Sequence, residues 1–174
     1  MKNRLTIAFV GLALLVAAVP TLRGSETDPE ALIRSARDVA LAPHFSHEAI
    51  TKALGDVLTA SLLILPKTDY SEEFRSRIEG LKKTLDKGEL FSDKAYQDLG
   101  LAYKLVTGGR AWQLPEELKA ADREKGIDKA REICAKRLDS ALAERKAGRN
   151  ERAVSCLIDF VILVVTPIEA ERRP

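Results

Sequence analysis

Residues 153–168 read AVSCLIDFVILVVTPI, and the fold turns on whether this run is a buried helix, a strand or a membrane span. On a helical wheel Ser155, Asp159, Ile162 and Thr166 share one narrow stripe, while Val154, Cys156, Leu157, Ile158, Phe160, Val161, Leu163, Val164 and Val165 cover the remaining circumference. A helix that is apolar around most of its surface is enclosed on several sides. A membrane span needs about 20 apolar residues. Here the uninterrupted apolar part is only residues 160–165, with Asp159 before it and Pro167 after it. The β-branched residues in this part also suit a strand, because a short apolar run carries no decisive period. Asn150, a good N-cap residue, and the helical periodicity upstream favour the helix. The run reads as a central buried helix with Phe160 and Leu163 in the core, and its polar stripe touches solvent or a polar seam.

Upstream, the chain is a series of capped amphipathic helices. Asp28 and Pro29 open the first, as N-cap and first helical residue, and Pro43 closes it. Ser46 opens the second, whose broad apolar face runs from Ile50 to Leu65 before Pro66 stops it. Asp69-Tyr70-Ser71-Glu72 resembles a capping box for the third. Phe74, Ile78, Leu81 and Leu85 form a stripe there so narrow that this helix belongs on the outside. Ser92 caps a fourth, which Gly108-Gly109 terminate, and Pro115 begins a long charged segment that Gly126 is placed to kink and Gly148 ends. Joints of about four residues set neighbouring helices antiparallel. The expected fold is all-α, an up-and-down bundle or a short stack of antiparallel helical hairpins around a central apolar C-terminal helix.

The first 24 residues stand apart as a signal peptide or N-terminal anchor. A basic start, MKNR, leads into a nearly continuous apolar run over residues 5–19 that Pro20 follows. This is the layout of an export signal, so the expected location is periplasmic or secreted, with membrane contact only where the segment stays uncleaved. Residues 25–174 then form a single helical domain. The formal charge of +2 comes from that leader: it holds three of the 28 basic residues and none of the 26 acids, leaving 25 against 26 from Ser25 onward, a net of −1. Without a basic patch, nucleic acid is a poor partner.

Leu99-Gly100-Leu101-Ala102-Tyr103 resembles part of the first helix of a tetratricopeptide repeat, which carries leucine, glycine and tyrosine at that spacing. The resemblance spans five residues. Where the second helix of such a repeat brings a small residue, this chain has Trp112 in a loop.

Few residues invite chemistry. His44 and His47 are the two histidines, and His47-Glu48-Ala49-Ile50-Thr51 has the first half of a zincin motif with Thr51 in place of its second histidine. A structural zinc site needs about four protein ligands and a catalytic one about three, so the pair is a start without a complete set. Asp159, alone in an apolar helix, is the candidate acid of an enzyme reading. Arg110 and Trp112 lie in the longest joint between helices, where a partner would find a cation and a large aromatic, though Trp112 equally suits packing over Leu118. Cys134 and Cys156 are expected unpaired: a hairpin turning at Gly148 sets Cys134 opposite Ile162 or Leu163, about 10 Å along the axis from Cys156.

No haem-attachment, nucleophile-elbow, phosphate-loop, dinucleotide or Cys-x-x-Cys motif occurs, so no catalytic residue or cofactor is assigned. The functional expectation is an exported, non-catalytic helical protein that binds a protein partner through a bundle surface or hairpin groove. A small metal-binding bundle using His44 and His47 is the alternative, and an enzyme of unrecognised type using Asp159 comes third.

Overall fold

The computed structural model describes residues 28–42, 46–89, 92–119 and 123–166, and these contain seven α-helices and no strand. They are α1 (Pro29–Leu41), α2 (His47–Ile64), α3 (Ser71–Asp86), α4 (Asp93–Val106), α5 (Glu116–Lys119), α6 (Arg123–Lys146) and α7 (Asn150–Val165). The leader and His44 lie outside the described residues.

The protein is an all-α helical bundle organised on α7. Ten of its 16 residues are buried, against seven of 18 in α2, so the apolar circumference in the sequence corresponds to real enclosure. α6, α2 and α4 pack directly on α7. α1 lies across α2 and α6, and α3 across α2 and α4. Two hairpins, α1 with α2 and α6 with α7, meet along the α1–α6 and α2–α7 contacts. α3 buries only Phe74, Ile78, Leu81 and Leu85 and sits at the outside, as its narrow stripe requires. Among the described residues, no helix is long and apolar enough to cross a membrane.

Side-chain caps open three of the helices. Asp28 accepts the Glu30 amide at 3.0 Å, Ser46 the Ala49 amide at 3.1 Å and Ser92 the Ala95 amide at 3.3 Å, each side chain satisfying one of the four amides a helix start leaves free. Two expected caps are different. At α3 the N-cap position is Tyr70, with no side-chain cap, and the Ser71 amide donates to the Thr68 carbonyl instead of taking part in a capping box. At α7 the N-cap is Arg149, while Asn150 is already helical and its Oδ1 accepts from Arg145 at 2.8 Å. The turn before α7 needs no capping side chain to set its direction. Gly148 takes φ +74°, and the Arg149 amide bonds the Glu144 carbonyl at 2.9 Å, the left-handed closure that glycine permits without steric penalty. α6 also runs through Gly126 as one helix.

Candidate functional site

Asp159 lies on the polar stripe of α7, yet that stripe does not face water. The residue is 9% exposed, Ile162 is 1% exposed, and Ser155 and Thr166 are half-buried. The solvent-facing alternative for this stripe is therefore replaced by the other one, a polar seam. Its cover comes from the loop after α4. Gly108 and Gly109 end that helix at φ +66° and +91°, and the chain continues without regular structure to Pro115. Half-buried Trp112 donates its indole N–H to Asp159 Oδ1 at 2.5 Å. From the other side, Arg137 of α6 brings Nε to 2.6 Å from Asp159 Oδ2; the N–H is not aligned on the oxygen, so the contact is an ion pair rather than a directed hydrogen bond.

Arg137 was not singled out from the sequence, although one signal pointed to it. It stands 11 residues before Gly148 and Asp159 stands 11 after, which in an antiparallel hairpin makes them opposite numbers.

Burial controls the chemistry of the seam. It raises the Asp159 carboxyl above the usual aspartate value, against the opposing pulls of the Trp112 hydrogen bond and the Arg137 charge. Burial also raises the Tyr103 hydroxyl and the Cys156 thiol, and it pushes Cys134 up to about 12. A nucleophilic cysteine needs the opposite, a thiolate at neutral pH. Both thiols are free in the structure. Iodoacetamide is expected to leave Cys134 unmodified in the native protein and to add two groups in non-reducing denaturant, as intact mass reads; no added group in denaturant means a disulfide.

On the far side of Cys134 lies a cavity of about 210 Å³ between the two hairpins. Ala36 and Ala40 of α1, Ala53 of α2, and Ala130 and Cys134 of α6 line it opposite Phe160, Leu163 and Val164 of α7. Val39 of α1 and Ile50 and Leu54 of α2 complete the apolar wall, and the short side chains among them leave space between the hairpins. Cys134 and Leu163 both line the cavity. Arg131 and Thr166 are the polar members of the lining. Arg131 donates to the Ala40 carbonyl at 3.4 Å and to those of Leu41 and Ala42, neutralising the end of α1.

The other expected site residues lie apart from this cavity. His47 is the exposed first residue of α2, beside a surface hollow shared with Glu48 and Asp86, and no group of three metal-binding side chains forms among the described residues. Arg110 is exposed, and half-buried Trp112 has its indole N–H on Asp159 of α7. The five tetratricopeptide-like residues sit in α4, and a Cβ at Gly100 would meet open space, whereas a repeat uses a small residue for close helix contact. No family model, curated protein or solved structure matches the chain.

Proposed function

We propose that this chain is an exported, non-catalytic binding module whose ligand site is the apolar cavity between its two hairpins. The basic start and apolar run of residues 1–24 support export, and the cavity carries the binding reading. The cavity opens to solvent, and its lining is apolar apart from Arg131 and Thr166, so a small apolar occupant would remove that apolar surface from water. Drug-sized ligands and nucleotide cofactors use pockets of about 300–1,000 Å³, so this one suits something smaller. The Arg110–Trp112 loop is the weaker surface, because its aromatic already has a partner inside the protein.

Thermal melts with benzene and with octan-1-ol test the reading. At ten times its Kd, a ligand of the folded state adds about 1.4 kcal/mol, and the melting temperature should rise by about 3–6 °C for a domain of this size. Ala53→Leu, which puts a larger side chain into the cavity, should abolish the rise. No rise with either ligand, or an equal rise in the variant, refutes the cavity as the ligand site.

A further inference from the structure

Granted the reading above, in which the cavity is the binding site, its lining separates ligands by their polar ends. The cavity follows α7 from buried Phe160 to half-buried Thr166, about 9 Å at 1.5 Å per residue, so an extended chain can lie along the helix with its polar end at Thr166. An apolar cavity of about 150 Å³ holds the six carbons of benzene, so about 210 Å³ suits roughly eight non-hydrogen atoms. Neither sign of charge is matched there. Among the described residues no aspartate or glutamate lines the cavity, so a buried cation has no partner. The one cation of the lining, Arg131, is engaged: Nε and Nη2 donate to the carbonyls that end α1, and Asp128 lies 3.5 Å from Nη1. An anion would have to draw the guanidinium away from that helix end and leave its carbonyls without their donor. A neutral ligand disturbs none of these contacts.

The remaining polar side chain of the lining is Thr166. Its single hydroxyl hydrogen lies on the Ile162 carbonyl at 2.6 Å, so toward a ligand the oxygen offers only lone pairs. Cys134 keeps its proton and hydrogen-bonds only weakly. We infer that the cavity takes an unbranched primary alcohol, its alkyl chain along α7 toward Phe160 and its hydroxyl donating to Thr166 Oγ1. An ether or a ketone of the same size would set an acceptor against an acceptor.

Titration calorimetry of the full chain with heptan-1-ol and 1-methoxyhexane tests the assignment, because the two are isomers and only the alcohol has a donor. The alcohol should bind roughly threefold to tenfold more tightly, the worth of one hydrogen bond. Thr166→Val should bring the alcohol down to the affinity of the ether and leave the ether unchanged, and Thr166→Ser should keep the preference. Heptanoate should bind more weakly than the alcohol. Equal affinities for alcohol and ether in the unaltered chain, a comparison that needs no variant to fold, overturn the hydroxyl assignment and leave the apolar site standing. A preference that survives Thr166→Val overturns Thr166 as the acceptor, and heptanoate binding as tightly as heptan-1-ol overturns the neutral ligand class. If neither the alcohol nor the ether binds, the site itself is overturned.

Discussion

Phe160→Ala should lower the free energy of unfolding by about 3–5 kcal/mol, the largest effect expected of any single truncation in α7. Phe160 is 3% exposed on the helix that α2, α4 and α6 all contact, so its ring is held from several directions. It also lines the cavity, and removing it joins the space of a lost ring to a void already there. The four alanines that face it from α1, α2 and α6 are too short to fill so large a gap. Leu163, 8% exposed on the same lining, loses fewer atoms and should cost nearer 2 kcal/mol when changed to alanine. Urea melts measure both. Similar small losses would mean that this end of the bundle is soft and the cavity no fixed feature.

The central place of α7 was legible because it rests on one local property, apolar residues on nearly every side, that needs no knowledge of neighbours. The caps of α1, α2 and α4 were legible for a similar reason: Asp28, Ser46 and Ser92 act within three residues of themselves. Asn150 and the residues from Asp69 to Glu72 have the right chemistry for capping, but at α7 the glycine closure had already fixed the chain direction, and at α3 a turn from Thr68 entered the helix directly. The surroundings of Asp159 were harder to read. A helical wheel shows which residues share a stripe and says nothing of what lies over it, and the cover here is Trp112, 47 positions away. The cavity was illegible in another way. Alanines on α1, α2 and α6 look like ordinary core residues, and the space beside them appears only once those helices are set against α7.

Asp159→Ala should destabilise the protein by about 1–3 kcal/mol, chiefly because the Trp112 indole N–H loses its acceptor in a half-buried position. Arg137 adds little to that loss: its side chain is 40% exposed and can turn to water when the carboxylate is gone. Asp159→Asn separates the hydrogen bond from the charge. The amide oxygen can still accept from Trp112, and the charge that burial disfavours is absent, so the loss at pH 7 should stay under about 1 kcal/mol. The pH dependence gives the sharper test. Burial raises the folded carboxyl above its unfolded value, so between those two values the native state binds more protons than the unfolded state. The contribution of Asp159 to stability therefore falls as pH rises through the window that begins at the unfolded value near 3.8, and it is constant above the raised folded value. The wild type should gain on Asp159→Asn as the pH drops through that window, although surface carboxylates paired with cations, such as Glu144 with Arg149, shift downward and lose stability in acid in both proteins alike. Matched urea melts of the two proteins from pH 7 to pH 3.5 read the difference directly. A wild type that instead loses ground in acid would show the Arg137 pair to be the dominant influence, and Asp159 to be held in the bundle by its charge rather than by the hydrogen bond it accepts from Trp112.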